Sequence, residues 1–180
     1  MTKENIAKQL SLGKVGIIPT DTIYGIVGLA KNKKAVAKIF KIKGRSKNKP
    51  LIILISKIED LDLFNIKLSE IEQKIIKKLW PGKYSIILPC SLKKYEHIHR
   101  GTNTIAFRLP KDEQIRKIIE LSGPIVAPSA NKEGQTPIKS IEEGKAIFKN
   151  EVDFYLSGKI KSNKPSTLIK IENGKINKLR

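Results

Sequence analysis

The stretch Ile17 to Ile26, IIPTDTIYGI, begins like a buried strand and then turns polar. Pro19 ends the apolar run, and two threonines, an aspartate and a tyrosine follow before the chain becomes apolar again. Open α/β sheets place ligand sites at strand ends. The same side chains are also typical of a turn in which hydroxyls and a carboxylate satisfy local backbone groups. The stretch therefore predicts a strand end that either closes a turn or lines a ligand site.

Helix and strand signals alternate outward from this stretch. Two serine and glutamate pairs, at 69 and 72 and at 140 and 143, have the spacing of helix capping boxes, and Asn173-Gly174 predicts a type I′ hairpin. The segment 50–56, PLIILIS, is apolar on both faces, as expected for a central strand. The patterns predict a mixed α/β sheet with helices over 2–13, 33–43, 69–80, 112–121 and 140–148 and strands over 14–20, 26–30, 50–56, 84–89, 104–110, 124–128 and 166–179.

Length and composition indicate one cytoplasmic domain over residues 1–180. A chain of 180 residues has the size of one ordinary domain. Its apolar runs are too short to cross a membrane, and its first ten residues lack the apolar core of a secretory signal. Cys90 is the only cysteine, so we expect a buried thiol rather than a disulfide or a zinc cluster.

The formal net charge of +19 has two readings. A basic face would attract the phosphates of a nucleic acid. Nearly all of this charge is lysine scattered along the chain, because arginine occurs only at Arg45, Arg100, Arg108, Arg116 and Arg180. The pattern favours a lysine-coated surface, and contact with RNA stays open as the alternative.

Three further stretches place polar side chains near predicted strand ends. In KIKGRSKNKPL, residues 41–51, a cluster of cations adjoins the predicted central strand and is either solvated or faces an anion. In PSANKEGQTP, Ser129 and Asn131 could bind a phosphate or a carboxylate, or could serve a turn. Arg108 interrupts the apolar strand TIAFRLP and needs an anionic partner, which either the protein or a ligand provides.

Several familiar sites are not supported by the sequence. Gly82-Lys83 lacks the rest of a phosphate loop, and no G-x-G-x-x-G or G-x-S-x-G motif occurs. His97 and His99 would share one face of a strand, but no further residues have the spacing of a zinc site. We therefore expect chemistry from cations and hydroxyls rather than from a protein-held metal ion or a catalytic triad.

Six segments, in this order, resemble one family: PTDTIYGI, KGRSKNKPL, WPGKYSIILP, TIAFRLP, PSANKEGQTP and STLIKI. They are similar to the motifs of the YrdC/TsaC family, the threonylcarbamoyl-AMP synthases, over nearly the whole chain. The resemblance implies a YrdC-like α/β fold, with a twisted mixed sheet and flanking helices around a basic cavity. It also implies a nucleotidyltransferase that makes threonylcarbamoyl-AMP and pyrophosphate from L-threonine, bicarbonate and ATP, with Mg²⁺ on the phosphates. Other tRNA-modification proteins would accept the adenylate for threonylcarbamoyladenosine synthesis.

The same resemblance assigns individual residues. It implies catalytic roles for Lys43 and Arg45, which form the K-x-R motif, and L-threonine contacts for Thr22, Arg108 and Ser166. The ATP contacts that it implies are Arg45, Lys49, Thr104, Ser129, Asn131 and Arg180.

Two departures and two alternatives accompany this assignment, and the first departure is Ser46, which replaces a common proline. Leu54 lies where many longer members carry a threonine-contacting histidine, so threonine recognition is expected to differ there. One alternative is a lysine-rich module that binds structured RNA without catalysis. The other is a related carbamoyl-AMP enzyme of metallocentre assembly, which no zinc-binding or acylphosphatase-like segment supports. In the leading hypothesis a carboxylate attacks the α-phosphorus of ATP, so clustered Lys and Arg would lower the repulsion between two anions.

Overall fold

The computed structural model describes residues 1–44, 46, 51–160, 162 and 164–179. Three predicted ATP-site residues, Arg45, Lys49 and Arg180, lie outside the described residues. The helices are α1 (Lys3–Ser11), α2 (Lys33–Lys43), α3 (Glu70–Leu79), α4 (Glu96–His99), α5 (Glu113–Ser122) and α6 (Ile141–Phe148). The strands are β1 (Gly16–Ile18), β2 (Gly25–Leu29), β3 (Ile52–Leu54), β4 (Tyr84–Pro89), β5 (Thr104–Arg108), β6 (Ile125–Val126), β7 (Phe154–Tyr155), β8 (Thr167–Glu172) and β9 (Lys175–Lys178).

Within the described part of the chain, nine strands form one mixed sheet in the order β7-β1-β2-β6-β3-β5-β4-β8-β9. β3 lies at the centre, parallel to β5 and antiparallel to β6. Its residues contribute to apolar clusters on both faces of the sheet, since Ile53 packs in one cluster and Leu54 in the other. The predictions of a mixed sheet and of a central strand at this position are therefore confirmed.

Helices cover both faces of the sheet. α1 and α5 pack together over one face, where Leu10 and Ile118 are buried, while α2, α3 and α6 contribute to the cluster on the other. The serine at position 69 and the glutamate at position 72 form both hydrogen bonds of the predicted capping box of α3. The predicted hairpin is also confirmed, because Asn173 and Gly174 both have positive φ angles between β8 and β9.

Local differences from the predicted elements occur where the pattern is short. The segment containing His97 and His99 is helix α4 rather than a strand, so the two rings do not share the face that alternation suggests. A 3₁₀ helix at Ile58–Phe64 and the two-residue strand β7 are additional. Cys90 is buried as predicted, and burial raises the pKa of its thiol. Across the described ranges, every helix is too short or too polar to cross a membrane.

Candidate functional site

A cavity lies beside the turn 19–24 that joins β1 to β2. The cavity is open to solvent and small, with a volume of about 80 Å³ for the centres of water-sized molecules. Its walls come from this turn, from β3 and β5, from the loop that follows β6 and from the loop that precedes β8. The lining residues are Thr20, Thr22, Ile23, Tyr24, Gly25, Ile52, Leu54, Arg108, Ala127, Pro128, Ser129, Pro165 and Ser166.

Hydroxyl groups organise the turn 19–24. The Thr20 hydroxyl donates to the carbonyl of Ile23 at 2.6 Å and lies 3.0 Å from the Thr22 hydroxyl, which leaves Thr22 as the donor between them. The Thr22 amide also donates to the Thr20 hydroxyl at 3.2 Å. The turn reading of the opening stretch is confirmed, and the same threonines also line the cavity, where ligand binding stays a prediction.

Arg108 is a buried cation at the end of β5. Its Nη2 donates to Asp21 Oδ1 at 2.9 Å, and its Nη1 donates to the Thr22 hydroxyl at 3.2 Å. Burial lowers the pKa of Arg108, and the neighbouring Asp21 carboxylate opposes that change because it stabilises the charged form. The anionic partner that the sequence requires is thus within the protein, although Arg108 still faces the cavity.

Two strands place neighbours beside Arg108. Leu54 of β3 is directly paired with Arg108 and forms an apolar part of the cavity wall. On the other side, the pairing of Ile86 with Phe107 sets Ser85 of β4 opposite Arg108. The Ser85 hydroxyl lies 2.8 Å from that of Ser166, and both serines are buried. The predicted threonine-site residues Thr22, Arg108 and Ser166 are therefore brought to one cavity.

Lys43 is almost fully buried, with 2% of its surface exposed, at the last residue of α2. Its ammonium donates to the carbonyl of Ser129 at 2.5 Å, to the carbonyl of Asn131 at 2.8 Å and to Asn131 Oδ1 at 3.0 Å. A lysine ammonium has three donors, and these three acceptors all belong to the S-x-N segment. The amide of Glu133 donates in return to the Lys43 carbonyl at 2.7 Å. The K-x-R and S-x-N motifs are thereby joined through Lys43.

Ser129 and Asn131 have different positions in this loop. Ser129 lines the cavity and pairs with Gly25 in an isolated bridge, and its hydroxyl donates to Asn131 Oδ1 at 2.6 Å. The Asn131 amide nitrogen donates to the carbonyls of Lys132 and Gln135, each at 2.8 Å. The side chain of Asn131 therefore holds the loop together, while Ser129 faces the cavity.

Thr104 lies apart from this cluster. It is the first residue of β5, four residues from Arg108, which corresponds to about 13 Å along a strand. Its hydroxyl donates to the Thr102 hydroxyl at 3.3 Å. Its contact with ATP, and the basic character of the cavity, stay predictions.

Two residues of the site were not assigned from the sequence. Asp21 belongs to the opening stretch, but only the order of the strands reveals that it meets Arg108, 87 positions away. Ser85 occupies one position of an otherwise apolar strand, and no sequence signal connects it with Ser166. Both residues act on neighbours that the motifs do identify.

The chain is similar to known proteins over most of its length. The Sua5/YciO/YrdC family model, described as "Telomere recombination", matches residues 8–180. A threonylcarbamoyl-AMP synthase from Pyrococcus abyssi is 36% identical over 147 residues, covering 81% of this chain and 43% of the relative. A relative from Methanocaldococcus jannaschii is 36% identical over 180 residues, covering 98% of this chain and 84% of the relative. The crystal structure of P. abyssi Sua5 complexed with L-threonine superposes with a TM-score of 0.91 at 33% identity, covering 99% of this chain and 53% of that one.

The matching proteins differ in length. The chain spans less than half of the P. abyssi synthase and most of the M. jannaschii relative. The twisted mixed sheet with flanking helices, predicted from the six motifs, is the architecture of the matching structures. Because the family model covers nearly all residues and the relatives exceed 30% identity, the chain belongs to the Sua5/YciO/YrdC family.

Proposed function

We propose that the chain is an L-threonylcarbamoyladenylate synthase, a nucleotidyltransferase that uses L-threonine, bicarbonate and ATP. The observation that carries the proposal is the buried Arg108, which borders a cavity lined by threonine and serine hydroxyls. A guanidinium is the side chain best suited to a carboxylate, because its N–H groups form a planar fork. The similarity to a structure complexed with L-threonine supports threonine as the ligand of this cavity.

The reaction joins three substrates in two bond-forming steps. The amine of threonine and bicarbonate form N-carboxy-threonine with loss of water. An oxygen of the new carboxylate then attacks the α-phosphorus of ATP, the bond from that phosphorus to the bridging oxygen breaks, and pyrophosphate leaves. The products are threonylcarbamoyl-AMP and pyrophosphate. No step needs a covalent bond to the protein, so positioning and charge stabilisation are the expected contributions of the chain.

The proposed site residues form two groups, one for L-threonine and one for the nucleotide. Thr22, Arg108 and Ser166 hold L-threonine, and Ser129, which also lines the cavity, contacts the nucleotide together with Asn131 of the same loop. Lys43 supports the site indirectly, because its buried ammonium and three hydrogen bonds hold that loop in place. Direct contact of Lys43 with phosphate stays a prediction.

The proposed ATP contacts rest on the resemblance of the sequence motifs to those of the family. Arg45 is the second catalytic cation, and the ATP contacts are Arg45, Lys49, Thr104, Ser129, Asn131 and Arg180. Mg²⁺ belongs to the ATP complex as a counterion of the phosphates. The described residues include no group of three or more His, Cys, Asp or Glu side chains that could hold a metal ion.

The cellular setting is proposed on the same basis. Residues 1–180 form one YrdC-like domain that works in the cytoplasm. Its adenylate is passed to tRNA-modification proteins for threonylcarbamoyladenosine synthesis. Direct contact with RNA is the alternative that the scattered lysine charge leaves open, since a net charge of +19 would attract phosphates.

The reaction class is tested by the dependence of pyrophosphate release on the substrates. Release from ATP and Mg²⁺ is expected to require both L-threonine and bicarbonate, because the attacking carboxylate forms only from the two together. Pyrophosphate is measured with a coupled assay, and the adenylate is identified by mass spectrometry. Orthophosphate release that ignores threonine would indicate simple ATP hydrolysis and contradict the proposal.

Valine is expected to be a poorer substrate than threonine by about ten- to a hundredfold in kcat/KM. Valine lacks the hydroxyl that a polar cavity can pair. The difference is moderate because Thr20 and Thr22 already satisfy each other, so an incoming methyl group leaves few groups unpaired. Initial rates with the two amino acids at matched ATP check this value. Equal rates would mean that only the amino and carboxylate groups are read.

A further inference from the structure

We propose that Asp21 is the positioning residue of the amino-acid subsite, which fixes the direction in which the Arg108 guanidinium meets the substrate carboxylate. The inference rests on the proposed function, because it takes L-threonine as the ligand. Among the described residues, Thr20 and Thr22 line the cavity, whereas Asp21 between them does not. Asp21 therefore acts through Arg108 and not by contact with the substrate.

Both oxygens of the Asp21 carboxylate are engaged. Oδ1 accepts from Arg108 Nη2 at 2.9 Å, and Oδ2 accepts from the backbone amide of Lys111 at 3.1 Å. The second bond prevents rotation of the carboxylate about its own axis. Because Lys111 follows Arg108 by three residues, the carboxylate is held by the same segment whose arginine it orients.

Because a guanidinium is planar and rigid, one anchored N–H group fixes the orientation of the whole group. Its N–H donors lie in one plane at set angles, so an anchored Nη2 sets the direction of every other donor. Nη1 then meets the Thr22 hydroxyl, which is part of the cavity wall, at 3.2 Å. Without Asp21, the long arginine side chain could place these donors in several directions.

A purely structural role for the ion pair is the competing explanation. The side chains of Asp21 and Arg108 are each 4% exposed, and removal of either partner leaves the other charged and buried. Loss of activity in a single variant could therefore reflect a damaged fold. The test must measure threonine binding and folding separately, and must remove both charges together as well as singly.

The test uses Asp21→Asn, which keeps the size of the side chain and removes its charge. Titration calorimetry with L-threonine is expected to show at least a tenfold weaker Kd, while the Kd for ATP changes less than threefold. Asp153→Asn is the matched control, since Asp153 also accepts from a backbone amide, that of Val15 at 2.8 Å, and pairs with Lys38 at 2.7 Å, away from the cavity. The control is expected to bind threonine like the parent chain.

A double-mutant cycle tests whether Asp21 affects threonine affinity through Arg108. If Asp21 acts through Arg108, then Asp21→Asn adds no loss of threonine affinity to Arg108→Gln. The double variant should also melt at a higher temperature than Asp21→Asn alone, because no buried charge is left without its partner. The double variant is expected to stay folded and to bind threonine poorly. It therefore distinguishes a loss of binding from a loss of stability.

Three results have distinct meanings. Threonine affinity of Asp21→Asn within threefold of the parent chain, with only a lower melting temperature, would overturn the positioning role. Losses that add in the double variant would overturn it as well, because Asp21 would then act independently of Arg108. Absence of threonine binding by the parent chain would instead refute the proposed function itself.

Discussion

Arg108→Ala is expected to lower kcat/KM for L-threonine by about a thousandfold. Truncating one partner of a buried, hydrogen-bonded charge pair costs roughly 2–5 kcal/mol, and about 4 kcal/mol corresponds to that factor. The substrate carboxylate would lose its guanidinium, and Asp21 would be left charged in a nearly inaccessible place. Steady-state release of pyrophosphate over a range of threonine concentrations measures the effect.

Two further variants separate charge from shape at this position. Arg108→Lys keeps a cation for Asp21 but offers a single point of attachment instead of a planar fork, so an intermediate rate is expected. Arg116→Ala is the control, because Arg116 pairs with Glu113 on the surface of α5 at 3.6 Å. An activity of Arg108→Ala within tenfold of the parent chain would show that the guanidinium does not bind the substrate.

The elements that could be predicted from the sequence are those with strong local signals. Helix α2 has the predicted bounds 33–43. Apolar residues recur at helical spacing up to the residue before Lys43, and Gly44 then ends the helix with a positive φ of 61°. The central position of β3 follows from the apolar character of both its faces. In contrast, β7 has only two residues, Phe154 and Tyr155, and it exists because β1 offers a free edge for pairing. A segment of that length has no periodicity to detect.

The candidate site was predictable residue by residue but not pair by pair. Thr22, Arg108 and Ser166 could be named because the resemblance to the YrdC/TsaC family implies them, and all three line one cavity. Their contacts depend on strand order and register, which bring β5 between β3 and β4. The pairing of Arg108 with Asp21 could not be predicted for this reason, because the sequence requires an anion without saying which one.

The same limit applies to Lys43. The sequence places it in a cationic run at the end of a helix, where a solvated side chain is the ordinary outcome. The structure instead buries it beneath the loop of Ser129 and Asn131. Burial of a lysine is rare unless its donors are matched, and here three oxygens from one loop match them. The contacts, rather than the charge alone, indicate what the residue does.

Lys43→Met is expected to lower adenylate formation by roughly a hundredfold or more, and the free energy of unfolding by about 3 kcal/mol. Methionine fills much of the same space but donates no hydrogen bond, so the Asn131 carbonyl loses its lysine donor, and the Ser129 carbonyl retains the amide of Asn131 at 3.1 Å. The loop that lines the cavity would then shift. Chemical denaturation measures stability, and single-turnover formation of the adenylate measures the reaction.

Lys8→Met is the matched control for this change. Lys8 is an exposed residue of α1, so the same substitution removes a solvated charge and should alter neither quantity appreciably. If the chain were only a basic RNA-binding surface, both lysines would contribute small, similar and salt-dependent increments to RNA affinity. Small and equal effects of the two substitutions on adenylate formation would therefore contradict the role of Lys43, and a large effect of Lys43→Met alone distinguishes a built site from a diffuse cationic surface.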